Sequence, residues 1–413
     1  MLRSSVCSIT GLSMLTVLTV VDATAMPNFA RKLGVGCATC HTTIPRLNET
    51  GFKFRAAGWR VPEDIGKPET KPFNLGDYFS GRIQARYDAS HTEIGPVSSH
   101  RSQLRFHELT VYPVTGAFEK YFSSLVELSF LPEESAEVEN GYVRVDKGSA
   151  AKFVEGRFGI FHPFEGFGAS DRPIAITRPY FQTTAANSNQ STFFTPWGFD
   201  QAGIEAGFDY NRTAVRGTIF NGLALRSEDG ALTAFAAQGG VLSKSSGLPS
   251  SNTVDFQLFA NQILQPDGGA VSVFYYHGNL DLPVSRTSNF FQNRFDRVAL
   301  YAGYPIVPQL HVYTGFQHGR DYVVTGDTFT SRGSFVEADV PFHEYVTVGA
   351  RYDWFDPARN ISDNEVRGIF GFVNVPLQNG LQLIAEYQNK NTKRGLNPER
   401  KDNIFQVRLI FIQ

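Results

Sequence analysis

The chain contains little cysteine, with three in 413 residues, and this scarcity excludes a disulfide-based scaffold. Cys7 precedes the apolar part of a predicted signal peptide and would be removed with it. The mature protein would then keep only two thiols, Cys37 and Cys40. Methionine is equally scarce, and Met26 is the only one expected to remain after processing. With two cysteines left, the mature chain could not supply the three or four thiolates of a cysteine-rich zinc site.

The N-terminal part of the sequence also lacks an apolar run long enough to anchor the protein in a membrane as a helix. Ile9 to Val21 falls short of the about 20 residues that a membrane-spanning helix requires, and Ser and Thr interrupt it. Arg3 supplies a positive start, and Ala23-Thr24-Ala25 is a small-residue cleavage site. Residues 1–25 are therefore predicted to be a secretory signal peptide, which implies export from the cytoplasm of a Gram-negative cell.

Neither the charge nor the motifs of the chain point to nucleic acid or to hydrolysis. The formal net charge is −2, which argues against a nucleic-acid partner. No G-x-S-x-G sequence occurs in a strand–turn–helix setting, so a hydrolytic nucleophile has no support. We assign no catalytic residues from the sequence.

The most informative stretch is Cys37-Ala38-Thr39-Cys40-His41, a C-x-x-C-H motif typical of covalent c-type haem attachment. Two thiols three residues apart lie on one turn, where each can add to a haem vinyl group. His41 follows directly and is expected to be the proximal ligand of the haem iron. The alternatives are a redox C-x-x-C pair, which would be expected near a βαβ pattern, or half of a zinc site, for which the mature chain lacks a third cysteine.

This motif lies in a short segment, residues 26–64, which is too small to bury a core unaided. Pro45 is predicted to open a second helix, on which Leu47, Gly51, Phe54 and Gly58 share one face. Small residues on this face would let the helix lie close to a flat ring. An amphipathic helix on the mouth of a barrel is the alternative. Residues 65–73 are predicted to be a linker.

Residues 74–413 show an all-β pattern of about 16 alternating runs. In Tyr121 to Phe130, for example, apolar residues occupy one face and Ser and Glu the other. Short and long connections follow one another in turn, and aromatic residues make up 13 % of the chain. These features predict a transmembrane outer-membrane β-barrel rather than a soluble β-sandwich.

Two connections have a distinct character. His162 to Trp197 is about 36 residues long without alternation, and it resembles the loop that folds into the lumen of 16-stranded porins. A second connection carries Glu133, Glu134, Glu137 and Glu139 and is predicted to be extracellular. Its carboxylates could gather Fe²⁺, although such a run is more often a solvated loop.

The second axial ligand of the haem is expected to be a histidine of the barrel. His107 shares a predicted lumen face with Gln103 and Arg105, and His162 opens the long connection. Water and Met26 are the alternatives.

Residues 26–64 together with the barrel pattern resemble a known family. The stretch AMPNFARKLGVGCATCHTTIPRLNETGFKFRAAGWRVPED, followed by a single porin-like barrel, is similar to the fused outer-membrane monohaem c-type cytochrome–porins, of which one branch oxidises iron. The resemblance implies one haem c bound covalently by Cys37 and Cys40, with His41 on the iron.

The expected function is electron transfer across the outer membrane, with extracellular Fe²⁺ as the donor that the resemblance suggests. Expected partners are outer-membrane lipid and periplasmic cytochromes, which would accept or donate electrons. The haem segment would lie in the lumen or at the periplasmic mouth. The alternative is a porin-like solute channel or an anchored periplasmic electron carrier, in which the segment serves as a plug or sensor.

Overall fold

The alternating runs form sixteen antiparallel strands that close into one barrel. The computed structural model describes residues 27–69, 73–132, 136–164, 174–183, 201–220, 254–283, 290–323, 328–343, 346–377, 380–394 and 397–413. The predicted signal peptide, Met26, Glu133, Glu134 and much of the two longest connections lie outside these ranges. The predicted all-β fold with about 16 strands is confirmed.

Each strand pairs with its neighbours in sequence, and the last strand pairs with the first to close the ring. The strands are β1 (Ser80–Ile94), β2 (Val97–Tyr112, continued by Thr115–Ala117), β3 (Phe122–Phe130), β4 (Glu137–Ser149), β5 (Lys152–Phe161), β6 (Gln201–Tyr210), β7 (Thr213–Phe220) and β8 (Asp255–Ile263). They continue with β9 (Ala270–Pro283), β10 (Phe290–Val307), β11 (Leu310–Val323), β12 (Thr328–His343), β13 (Val346–Asp356), β14 (Val366–Pro376), β15 (Leu381–Arg394) and β16 (Asn397–Ile412). Pro113 interrupts β2 because it has no amide hydrogen to donate, and both parts of β2 pair with β3.

Side chains alternate between an apolar outer surface and a polar interior. Leu104 is 77 % exposed and Phe158 69 % exposed on the outside, whereas Arg144, Glu337 and Asp353 are buried inside. A soluble protein rarely exposes large apolar side chains in a continuous belt. A closed sheet with an apolar exterior and a polar lumen has the organisation of a membrane-spanning barrel.

The two ends of the barrel differ in their connections. Turns at 150–151, 211–212 and 308–309 lie at one end, where the amide of Gly81 also donates to the carbonyl of the C-terminal Gln413. We call this the short-turn end. The opposite, long-loop end holds the connections 162–200 and 221–254. In outer-membrane barrels the short turns face the periplasm.

Residues 27–64 form a compact chain of short elements before the barrel. These are α1 (Pro27–Leu33), a 3-10 turn (Cys37–Thr39), a hairpin of His41–Thr43 with Arg46–Leu47, α2 (Glu49–Ala56) and a second 3-10 turn (Pro62–Asp64). The prediction that Pro45 opens the second helix was wrong, because Pro45 lies in the hairpin turn. Asn48 caps α2 instead, and its side chain accepts a hydrogen bond from the amide of Gly51 at 2.9 Å. None of the described helices is long and apolar enough to cross a bilayer.

This segment lies across the short-turn mouth of the lumen. On one side, the Arg60 guanidinium donates to the backbone carbonyls of Lys120 and Phe122 at 2.6 and 2.9 Å. On the other side of the ring, the Arg46 guanidinium donates to both carboxylate oxygens of Asp339 on β12. Anchors on opposite walls hold the segment as a plug. Further contacts join Glu49 to Arg212, Asn28 to the Thr115 carbonyl, and the Ile44 carbonyl to Asn374.

The connection after β5 enters the lumen, as predicted. In its described part, the Ile174 amide donates to Glu337 of β12 at 3.1 Å, and the Thr177 hydroxyl donates to Glu386 of β15 at 2.9 Å. The short helix α3 (Tyr180–Thr183) follows, and Gln388 of β15 donates to the Tyr180 hydroxyl at 2.5 Å. These contacts lie on strands distant from β5, so the loop crosses the interior.

Replacing Arg46 by Leu is expected to release the segment from β12. Asp339 would keep a buried charge without its partner, and breaking such a pair costs about 3–5 kcal/mol. Limited proteolysis should then cut within residues 27–64, while heat-modifiable gel mobility shows that the barrel stays closed.

Lys67→Leu is the matched control, because it removes an exposed pair with Asp64 and should leave protease resistance unchanged. The double variant Arg46→Leu/Asp339→Leu should regain part of the resistance, since no charge is left buried alone. Wild-type resistance in Arg46→Leu would contradict the anchoring role.

Candidate functional site

The plug, the inward loop and the barrel wall line a partly open cavity of about 430 Å³ in the lumen. The plug contributes Cys37, Cys40 and His41 to its lining. The wall contributes His107 from β2, and His162 follows the end of β5. One cavity thus contains all five residues that the sequence singled out for haem binding.

The C-x-x-C-H turn is held by its own backbone and by the cap of α2. The Cys40 amide donates to the Cys37 carbonyl at 3.0 Å, which closes the 3-10 turn. The Asn48 amide donates to the Cys40 carbonyl at 3.0 Å, and the Asn48 side-chain amide donates to the Thr39 carbonyl at 3.1 Å. Asn48 therefore links the turn that carries both thiols to the start of α2.

The two glycines predicted to face a flat ring have other neighbours. A Cβ on Gly51 would lie 2.1 Å from the Cys40 carbonyl oxygen, so glycine allows α2 to pack directly on the C-x-x-C-H turn. Gly58 lies beyond the end of α2 with φ of +67°, and a Cβ there would lie 2.3 Å from Asp146 Oδ2 of β4. The prediction was thus wrong for Gly58, which lies against the wall, whereas Gly51 does line the cavity.

Cys37 and Cys40 are both partly exposed thiols. Burial, with a smaller contribution from the neighbouring Cys37, raises the pKa of the Cys40 thiol. A raised pKa makes Cys40 less reactive as a nucleophile at neutral pH than an exposed cysteine. Its surroundings therefore do not activate the Cys40 thiol as a nucleophile.

His41 is oriented by the chain that follows it. Its Nδ1 lies 3.2 Å from the Arg46 carbonyl oxygen, and a ring nitrogen held this way leaves Nε2 as the one able to bind a metal. Burial lowers the pKa of His41, which favours the neutral imidazole that coordinates metals. Because Asp339 holds the Arg46 side chain, the barrel wall positions His41 through Arg46.

His311 also belongs to this arrangement, because its Nδ1 lies 3.1 Å from Arg46 Nη1. The Arg46 guanidinium stacks 3.7 Å from the ring centre of Tyr313 on the same strand. Sequence reasoning named neither Asp339 nor Tyr313. In the sequence, Asp339 and Tyr313 differ from other inward-facing residues of alternating strands in no way that would indicate a contact with Arg46.

The remainder of the cavity combines apolar and charged side chains. The apolar part includes Leu33, Phe54 and Ile174, together with Val35, Leu47, Leu125, Ala175, Ile176, Ile384, Ile410 and Ile412. Among the cations, Arg82 donates to Glu108 at 2.8 Å. Arg408 lines the same cavity, and its buried Nε makes no hydrogen bond within the described residues. The cavity therefore presents an apolar wall and a cation able to receive an anionic group.

Part of the predicted extracellular acidic loop belongs to the barrel. Glu137 begins β4, and Glu139 lines the cavity, near Glu108 and Glu127 of the same wall. The prediction of a solvated extracellular cluster was thus wrong for Glu139, because β4 starts earlier than the charge run suggests. Across the described part of the chain, no group of three or more His, Cys, Asp or Glu residues is arranged to hold a metal ion alone.

No protein-family model matches the sequence, and no curated protein matches it. Among solved structures, the chain is similar to the anion-selective porin from Comamonas acidovorans, with 11 % identity over 81 % of this chain and 98 % of that chain, at a TM-score of 0.54. It is also similar to the outer membrane channel DcaP of Acinetobacter baumannii, with 12 % identity, coverage of 81 % and 96 %, and a TM-score of 0.53. The chain is similar as well to the trimer form of OmpT, an outer membrane protein of Vibrio cholerae, with 11 % identity over 81 % of this chain and 100 % of that chain, at a TM-score of 0.50. Identities this low establish the fold alone: the chain has the fold of outer-membrane porins.

Proposed function

We propose that this protein transfers electrons across the outer membrane through one haem c, attached to Cys37 and Cys40 and bound at the iron by His41. The observation that carries the proposal is the location of the C-x-x-C-H turn. The turn lies inside a barrel lumen, on a cavity that also contains two further histidines. The apolar outer belt supports location in the outer membrane.

The residues present fit a haem. A cavity of about 430 Å³ lies within the range of about 300–1,000 Å³ typical of cofactor pockets. Apolar side chains such as Phe54 and Ile176 suit a porphyrin face, and Arg408 suits a propionate. When bound, haem c would supply reversible one-electron transfer at its iron.

The protein's own groups would fix the position of the cofactor. Cys37 and Cys40 would hold it covalently, and the Asn48 contacts keep their turn in place. The Arg46 carbonyl fixes the His41 ring, and the inward loop covers the cavity with Ile174 and Ile176. His107 and His162 would be the candidates to supply a second ligand to the iron.

The position of the plug also suggests the partners. The plug lies at the short-turn end, which faces the periplasm in barrels of this type. A periplasmic cytochrome would therefore approach the haem from that side. The outer partner, for which we retain Fe²⁺ as the candidate, would approach through the long-loop end.

A solute channel is the second candidate function. The likeness to solved porins and channels favours it more directly than it favours electron transfer, and the inward loop has the place of a pore constriction. The plug argues for the first candidate, because anchors on opposite walls leave it across one mouth of the lumen. A channel would have to conduct around the plug or release it.

Covalent haem is the first test. Denatured protein should keep peroxidase-type haem staining on a gel, and Cys37→Ala/Cys40→Ala should abolish it. Cys7→Ala is the matched control and should leave staining intact, because Cys7 precedes the predicted cleavage site. Staining that survives the double variant would refute the attachment site.

The second axial ligand can be identified by spectroscopy. We expect a six-coordinate, low-spin spectrum with two histidines, and conversion to high spin in either His107→Leu or His162→Leu. His277→Leu is the control, since His277 bonds Asp296 on the outside of the barrel at 2.8 Å. A far-red band typical of methionine ligation, or a wild-type spectrum in both variants, would contradict this assignment.

Liposomes carrying the protein separate the two functions. We expect external Fe²⁺ to reduce the haem, and His41→Ala, which removes the iron ligand, to prevent this. In planar bilayers, the intact protein should conduct ions poorly, and deletion of residues 27–64 should raise conductance. High conductance of the intact protein together with haem that no external donor reduces would favour the channel.

A further inference from the structure

A pair of histidines faces outward on the hairpin formed by β1 and β2. His91 and His100 lie directly opposite each other across the two strands, and their ring centres are 4.1 Å apart. Their Nδ1 atoms are 3.1 Å apart. Neither residue lines the lumen cavity, and the haem proposal does not use them.

The spacing of the two nitrogens is that of two ligands on one metal ion. Metal–nitrogen bonds of about 2.0–2.1 Å place neighbouring nitrogens about 2.8–3.0 Å apart at the 90° angle of octahedral geometry and about 3.3–3.4 Å apart at the tetrahedral angle, a total range of about 2.8–3.4 Å. The separation of 3.1 Å between the Nδ1 atoms falls in this range. A hydrogen bond between the two rings would give the same spacing without a metal. A second observation is therefore needed, namely what holds the other ring nitrogen, Nε2, and so leaves Nδ1 with a lone pair for an ion.

Glu93 provides this second observation, because it holds the Nε2 atom of His91. Its Oε1 lies 2.9 Å from Nε2 of His91. A carboxylate accepts a hydrogen bond, so it fixes the tautomer of His91 with the proton on Nε2 and a lone pair on Nδ1. Metal-binding histidines commonly donate their other ring N–H to a carboxylate in this way. The partner His100 can adopt the same tautomer by moving its proton from Nδ1 to Nε2.

The pair also lies where dissolved ions can reach it. On the outward face of β1, Tyr87 and Ala89 are followed by His91 toward the long-loop end. On the neighbouring strand β16, Phe405 lies opposite Ala89, and Asn403 lies opposite His91. On β15, Tyr387 is likewise succeeded by Asn389. The change from aromatic to polar side chains marks the edge of the apolar belt. The histidines lie just beyond this edge, toward the long-loop end.

We propose that His91 and His100 form a binding site for a divalent transition metal on the outer face of the barrel, with Glu93 as a positioning residue. Imidazole ligands suit Cu²⁺, Ni²⁺ and Zn²⁺, and water completes the coordination. Two neutral histidines bind the ion without net release of protons. The site stands on observations separate from the haem proposal and does not depend on it.

Electron paramagnetic resonance with one equivalent of Cu²⁺ tests the site in the full-length, untagged protein. We expect the pulsed spectrum to show two imidazole nitrogens on one Cu²⁺. His91→Gln and His100→Gln should each remove the two-nitrogen signature and weaken binding by at least about tenfold. Glu93→Gln should keep both nitrogens but weaken binding by about 10- to 100-fold.

His277→Gln is the matched control. His277 also faces outward and bonds a carboxylate across the strands, Asp296, but its cross-strand partner is not a histidine. It should leave the Cu²⁺ spectrum unchanged, and heat-modifiable mobility should show that every variant is folded. The proposal is overturned if the wild type lacks the two-nitrogen signature, or if that signature survives in either His91→Gln or His100→Gln.

Discussion

Closure of the sheet is the constraint on which the rest of the structure depends. In a hydrocarbon layer each backbone N–H and C=O must find a partner, and the pairing of β1 with β16 removes the last open edge. Because the apolar side chains are then directed outward, the lumen receives the polar ones. Buried charges there must be paired, and Glu155 accordingly lies 2.8 Å from Arg144 and 2.6 Å from Arg216.

That polar interior explains how a short segment can be held without a large core. Arg46 and Arg60 find acceptors that the barrel wall already offers, a carboxylate in one case and strand-end carbonyls in the other. Aromatic packing adds to this: Phe29 stacks on Trp59 at 5.3 Å, and Trp59 donates to the Tyr142 hydroxyl at 3.1 Å. The plug is thus held both by the barrel wall and by its own aromatic contacts.

Local patterns allowed part of this to be predicted from the sequence. Alternation reveals the strands, because its period of two is set within each run, and the spacing of Cys37, Cys40 and His41 is equally local. The contact of Arg46 with Asp339 spans 293 residues and leaves no local pattern. The helix start at Asn48 was missed because Pro45, a common first residue of helices, instead occupies the hairpin turn. Glu139 was misplaced because a charge run resembles a loop even where its last residues face a lumen.

The plug and the barrel mouth that holds it belong to one chain, so a plug that detaches stays tethered to its own barrel. A short tether keeps a detached domain at an effective concentration of about millimolar around its site. Docking is then a unimolecular equilibrium, so the occupied fraction does not depend on how many copies the membrane holds. The Gly66 amide donates a hydrogen bond to the Lys120 carbonyl at 3.0 Å. Because this bond holds residues 65–69 near the barrel wall, the free part of the tether is shorter still. A plug that leaves the mouth would therefore return to the same barrel and not to a neighbouring one.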